Sequence, residues 1–164
     1  VEKIRLNVGC GRKIMQGYVN IDVRKTNEEV VVADIRNLPY GPNSVDEIYA
    51  NDVLEHVSFR ETQEVLNHWF TVIKPGGTLF IQSPHFKSLV DFATKAKTAV
   101  EKQTAIARFF GGQDYPENTH MNAIDEDIIQ GQLRVAGFTA SMKYEAGNFG
   151  NRTNIRITIV KQLT

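Results

Sequence analysis

Leu6-Asn7-Val8-Gly9-Cys10-Gly11 is a short apolar run that breaks on two glycines. With Ile4 and Arg5 it reads as a first β-strand, Ile4 to Val8. The glycines then fall just past the strand's carboxyl end, where backbone can approach a ligand and the crevice of an open parallel sheet lies. Outward from it, Tyr18–Asp22 reads as strand two, Val30–Asp34 as strand three and Val45–Ala50 as strand four. A helix is predicted over Phe59–Ile73, with Ser58 and Glu61 at capping-box spacing and one apolar stripe through Val65, Leu66, Trp69, Phe70 and Ile73. Lys74 suits the helix dipole at that end, and Pro75-Gly76-Gly77 is the stop. Thr78–Gln82 is strand five. Ser88–Phe110 has helical spacing, as one helix or as two with Thr98 and Glu101 capping the second. Asp125 caps a helix ending near Ala136. Phe138–Tyr144 and Ile155–Lys161 are the last strands, joined by a Gly/Asn-rich loop, Ala146–Asn154, too short for a crossover helix. The final strand should therefore run antiparallel. Strands alternating with helices give an α/β fold around a largely parallel sheet.

The early connections are abnormal. Only Arg12 to Gly17 separate the glycine turn from strand two, fewer than the ten or so residues of a crossover helix, and strands two and three are joined as tightly. Early crossover helices should be shortened or missing, leaving part of one sheet face bare. Such faces are normally covered, so either the Ser88–Phe110 segment folds over it or a partner chain does, a second copy included.

At 164 residues the chain fits a single domain over 1–164 that buries a core without a metal or disulfide staple. Nineteen basic and nineteen acidic side chains cancel, which argues against a nucleic-acid partner, whose phosphates call for clustered Lys and Arg. Cys10 is the only cysteine, so no internal disulfide and no zinc cluster of cysteines is expected. No apolar run approaches the roughly 20 residues of a membrane span. The opening Val1-Glu2-Lys3-Ile4 has no leader character, so no membrane association and a cytoplasmic location are the expectation.

The glycine turn either binds a ligand or simply turns the chain. A dinucleotide site would carry a third glycine and an acid about 20 residues on. Here Ile14 holds that glycine's place, and Asp22 closes strand two only eleven positions past Gly11. No phosphate-loop Gly-Lys-Ser/Thr occurs. This favours a ligand with a ribose and no pyrophosphate over a nicotinamide dinucleotide.

These residues resemble the class I S-adenosylmethionine-dependent methyltransferases over nearly the whole chain. Leu6–Gly11 is similar to the family's glycine motif, Ala33-Asp34-Ile35 with Leu38-Pro39 to its strand-three motif, Ser44–Tyr49 with Val53-Leu54-Glu55-His56-Val57 to strand four and its turn, and Ile73–Leu79 to the turn into strand five. The resemblance implies a Rossmann-like seven-stranded sheet, ordered 3-2-1-4-5-7-6, that binds S-adenosylmethionine and releases S-adenosylhomocysteine, with no metal. It implies cofactor contacts from Gly9, Cys10 and Gly11, ribose contacts from Asp22 beside Val23, adenine contacts from Asp34 and Ile35, and further contacts from Asn51 and His56. The short crossovers, together with Gly111–Tyr115 and His120, resemble a small bacterial group of predicted methyltransferases often found among surface-polysaccharide genes. The expected activity is methyl transfer to a small-molecule or carbohydrate acceptor, at oxygen. The alternative is a non-catalytic S-adenosylmethionine-binding partner or regulatory subunit, since the helices that usually close over the cofactor are missing.

An oxygen acceptor calls for a base, and His suits neutral pH. His68 lies inside an amphipathic helix beside Trp69 and reads as a surface or core-edge residue. His56 reads equally as chemistry or as a loop anchor, and His85, after strand five, is likewise open to both. His120 sits in a polar loop with no core reason for an imidazole, so it is the leading catalytic candidate with His85 second; Asp114 and Tyr115 are weaker substrate candidates.

Overall fold

In the computed structural model, which describes residues 2–140, 142–149 and 152–163, strands β1 (Arg5–Val8), β2 (Val19–Asp22), β3 (Val30–Val32) and β4 (Val45–Asn51) form where the apolar runs stand. They are followed by α1 (Thr62–Val72), β5 (Ile73–Pro84), α2 (Phe86–Lys95), α3 (Ala99–Phe110), α4 (Glu126–Ala136), β6 (Lys143–Phe149) and β7 (Arg152–Val160). The seven strands make one sheet ordered β3-β2-β1-β4-β5-β7-β6. The pairs from β3 to β5 are parallel, and β7 is antiparallel to both its neighbours. Fold class and strand order match the expectation. Among the described residues, no helix is long and apolar enough to cross a membrane.

One face of the sheet holds the core. Leu6, Val8, Ile21, Ile48, Leu79 and Ile157 alternate inward beneath α1 and α4, which pack side by side through Val65, Leu66, Trp69, Ile129 and Leu133. Trp69 is fully buried, and its Nε1–H donates to the Ile35 carbonyl at 2.9 Å. Each large apolar side chain so buried contributes about 1.5–3 kcal/mol.

Several boundaries differ from the prediction. Helix α1 starts after Glu61, and Ser58 Oγ accepts only from the Arg60 N–H at 3.3 Å, so the proposed capping box does not form there. Its C-terminal carbonyls are met not by Lys74, which pairs with Asp46 at 2.7 Å, but by Asn43 N and Ser44 N at Thr71 O and Val72 O and by Lys161 from the chain's far end. The Lys161 ammonium donates to Phe70 O, Ile73 O and Asn43 Oδ1, each at 2.8 Å. Ser88–Phe110 resolves into two helices, because Thr98 and Glu101 complete a reciprocal capping box. The Gly/Asn-rich Ala146–Asn154 stretch is largely strand. Gly147 pairs with Asn154 and Ala146 with Ile155, so β6 begins at Lys143 rather than Phe138. Turn-forming composition yields there to a ladder partner. Ser141, Gly150 and Asn151 of these predicted elements lie outside the described residues.

The opposite face shows how the chain manages without early crossover helices. Residues 9–18 cross between β1 and β2 without a helix, and two buried amides anchor them. Asn7 Nδ2 donates to Asn20 Oδ1 and to Lys13 O, each at 2.8 Å. Asn20 Oδ1 also accepts from Met15 N at 2.9 Å, and its Nδ2 donates to Met15 O and Tyr18 O. Beside them, half-buried Tyr18, Tyr49 and Phe80 form an aromatic row. The Tyr49 and Phe80 rings stack at 4.6 Å, and Tyr18 meets Tyr49 edge-on at 6.4 Å. Helices α2 and α3 pair with each other, and their residues Leu89, Ala107 and Arg108 line a cavity at the carboxyl ends of the strands.

Asn20→Ala should orphan polar groups of the 9–18 segment and cost about 2 kcal/mol, since each unsatisfied buried group costs roughly 1–3 kcal/mol. Urea unfolding at equilibrium checks this; an unchanged midpoint would mean the amide pair is dispensable.

Candidate functional site

Strands β1, β2 and β4 deliver the first part of the site at their carboxyl ends, over a cavity of about 870 Å³. Gly9 has φ +63°, and a Cβ there would lie 2.1 Å from Val53 Cγ2. A protein neighbour, Val53, thus enforces glycine at this position. At Gly11, by contrast, a Cβ would meet no atom within 4 Å, and this glycine opens onto the cavity. Asp22 is only 8% exposed. Its Oδ2 accepts from Gly11 N at 2.8 Å and its Oδ1 from Arg24 N at 2.9 Å, so one carboxylate ties the glycine turn to the end of β2. The Thr26 hydroxyl donates to Gly11 O, adding a second tie.

Asp34 caps the 3₁₀ turn Ile35–Asn37 by accepting from Arg36 N. The Arg36 guanidinium grips the same carboxylate at 2.6–3.0 Å and also reaches Glu61 at 3.5 Å. This contact holds the Asp34 carboxyl below its usual range.

The opposite wall comes from the loop between α3 and α4. Gly111 has φ +79°, and a Cβ there would lie 2.3 Å from Asn118 O and 2.9 Å from His120 N. Glycine is therefore what lets the loop fold back and bring His120 to the cavity. His120 Nδ1–H donates to Arg108 O at 3.0 Å, while His56 Nδ1–H donates to Thr119 O at 3.1 Å. In each neutral ring the lone pair then sits on Nε2. The two rings meet edge to face with centroids 5.0 Å apart. Burial first, and the nearby His56 second, push the His120 pKa below 6.5. Across the cavity mouth the Arg24 guanidinium lies 3.6 Å above the Tyr115 ring.

Of the residues singled out from sequence, Gly9, Gly11, Asp22, Val23, Asp34 and Ile35 line this cavity, together with His56, His120 and Tyr115. Cys10 and Asn51 do not. Cys10 is buried behind the turn, its thiol pushed up to about 11 by burial and by Asp22. His85 is absent from the lining as well: its Nδ1 meets Ser88 Oγ at 2.7 Å and its Nε2 meets Glu126 Oε2 at 3.0 Å, which ties β5, α2 and α4 together. Asp114 faces its own loop, accepting from Asn118. His68 is half-buried at the edge of the core, as expected, with its Nε2 3.3 Å from Leu38 O. Sequence reasoning missed Glu55, 1% exposed on the cavity wall with Ser83 Oγ donating to its Oε2 at 2.8 Å. An acid between an apolar residue and His56 was the available signal. It also missed Arg24, whose stacking partner lies far along the chain.

A family model described as a methyltransferase domain matches residues 13–81. A structure of an S-adenosylmethionine-dependent methyltransferase from Archaeoglobus fulgidus superposes with TM-score 0.68 at 16% identity, over 97% of this chain and 86% of that one. The fold is that of the S-adenosylmethionine-dependent methyltransferases. Phosphoethanolamine N-methyltransferase 2 of Haemonchus contortus, in complex with S-adenosyl-L-methionine, shares this methyltransferase fold at TM-score 0.66 and 13% identity, over 99% of this chain and 49% of that one. So does the partner of the Trm112 methyltransferase activator in a complex from Haloferax volcanii, at TM-score 0.65 and 12% identity, over 99% and 83% of the two chains. No curated protein matches the chain.

The lowered His120 pKa has a consequence for stability. Between the folded pKa and about 6.5 the unfolded chain binds the extra proton more readily. This contribution is therefore complete above about pH 6.5 and is lost as pH falls towards the folded value. Ring-proton NMR should show His120 titrating below 6.5, and unfolding midpoints of His120→Asn should lose that part of the acid sensitivity.

Proposed function

We propose that the chain, acting as one domain, transfers a methyl group from S-adenosylmethionine to the oxygen of a small-molecule or carbohydrate acceptor. The observation that carries this reading is Asp22, a buried carboxylate bridging the glycine turn and the end of β2 at the cavity wall. Each of its oxygens is engaged by one N–H and keeps a lone pair for a ribose hydroxyl. The open space at Gly11 fits backbone-close binding of the cofactor's amino-acid portion. S-adenosylmethionine supplies an electrophilic methyl on sulfonium sulfur and leaves as S-adenosylhomocysteine. The chain's task is to orient the reactants, exclude water and take the acceptor's proton, which His120 accepts on Nε2. Its low pKa keeps the ring unprotonated at neutral pH. Asp34 accepts from the adenine amino group, for which Arg36 must shift its grip towards Glu61. Neighbours of the same fold include an enzyme holding S-adenosyl-L-methionine, which supports the cofactor.

A second reading, a cofactor-binding partner subunit without its own turnover, is favoured by the half-buried aromatic row Tyr18–Tyr49–Phe80. It predicts cofactor binding but no methylation until another chain is added.

Calorimetric titration with S-adenosylhomocysteine decides whether either reading stands, and no heat of binding would remove both. Asp22→Ala should weaken binding about ten- to hundredfold, the equivalent of roughly 1.5–3 kcal/mol. Arg36→Gln should tighten it by up to about fivefold, the worth of an exposed ion pair of at most about 1 kcal/mol. With an acceptor in hand, His120→Ala should bind cofactor normally and turn over about 10²–10⁴-fold more slowly. The wild-type rate should fall only below the ordinary histidine range.

A further inference from the structure

Two groups of potential ligands to a metal stand out among the described residues: Glu55 with His56 and His120, and His85 with Asp125 and Glu126. In the second, both nitrogens of His85 are committed to Ser88 and Glu126. In the first, both Nδ1–H groups are spent on backbone carbonyls, Thr119 O and Arg108 O. That is the outer-shell bond that fixes an imidazole's tautomer and orientation for ligation through Nε2. Glu55 is held in turn by the Ser83 hydroxyl at 2.8 Å. One ligand atom from each of the three residues lies within 4.8 Å of the others, and all three residues line the cavity.

We propose that Glu55, His56 and His120 form a binding site for a divalent transition-metal cation. Two imidazoles and one carboxylate suit Zn²⁺, Fe²⁺ or Co²⁺ rather than Mg²⁺ or Ca²⁺. Metal–ligand bonds of about 2.0–2.2 Å require the donors to close by an amount of the order of 1 Å, within the reach of side-chain rotation. Three protein ligands facing a cavity leave a coordination position open to a ligand there, the pattern of reactive rather than structural zinc sites. A cation so placed takes the Nε2 lone pair that His120 otherwise offers to the acceptor's proton, so in the metal-loaded chain a Lewis acid stands in for that base. That use rests on the proposed function, whereas the binding does not.

The test is calorimetric titration of the full, cofactor-free chain with ZnCl₂, alongside the visible spectrum with CoCl₂. One zinc ion per chain is expected. His56→Asn and His120→Asn retain an N–H donor for Thr119 O and Arg108 O, so the loop stays pinned while the imidazole is lost. Each should weaken binding by at least about 100-fold. Glu126→Gln, in the other group, should leave it unchanged. Thermal unfolding midpoints verify that the variants are folded. No zinc binding by the wild type, binding that survives in the His56→Asn/His120→Asn double variant, or binding lost in Glu126→Gln each overturns the proposal. A chain that binds S-adenosylhomocysteine but not zinc overturns the metal site alone. One that binds zinc but not S-adenosylhomocysteine overturns the methyl-transfer reading alone.

Discussion

Strands β1 and β2 run parallel yet are joined by residues 9–18 without a helix, so the backbone groups of that segment need partners from elsewhere. The amides of Asn7 and Asn20, buried opposite one another on the two strands, provide them. A crossover helix would satisfy its own backbone and bury an apolar stripe. The amide pair instead fixes a polar loop flat against the sheet. Register matters here: a one-residue slip of β2 would turn Asn20 to the core face and Ile21 outward. The position of Asp22, and through it of Gly11 and Arg24, follows from that register.

The far wall of the cavity is held differently. The segment between α3 and α4 meets the end of β5 only near its own end, where Ile124 bridges His85 and accepts from Phe86 N at 2.8 Å. Its course is set by the sharp reversal at Gly111, by backbone bonds such as His120 N to Phe110 O at 3.1 Å, and by Met121 N to Glu55 O at 2.8 Å. The last of these ties the loop to the turn after β4, beside His56. The hairpin contributes as well, through Asn154 Nδ2 donating to Asp52 Oδ1 at 3.0 Å. One half of the site is thus rigid by topology and the other by a few directional bonds.

The strand order and the cavity's first wall were legible because they rest on local signals: short apolar runs, glycines past a strand end and an acid closing the next strand. Element ends were less so. Lys161 replaces Lys74 at the end of α1 because proximity in space, not in sequence, selects the cation. The strand character of residues 146–149 depends on pairing with 152–155, and a Gly/Asn-rich composition conceals it. The same limit applies to single residues. His85 and His120 both sit at the sheet's carboxyl edge, and only their partners distinguish an imidazole with both nitrogens bound inside the fold from one that lines the cavity. At Gly9 the close approach expected of a ligand is made instead by Val53.

Cys10 stands behind the glycine turn, buried and with its thiol raised to about 11. At neutral pH almost none of it is thiolate, and the thiolate is the nucleophile that attacks alkylating reagents and disulfides. As the sequence holds no other cysteine, the chain offers a silent background for sulfur chemistry. A reporter cysteine in place of Glu117, exposed on the loop that carries Tyr115, would carry a fluorophore or spin label selectively. Movement of that loop against Arg24 can therefore be followed without first removing a native thiol from the turn that shapes the site.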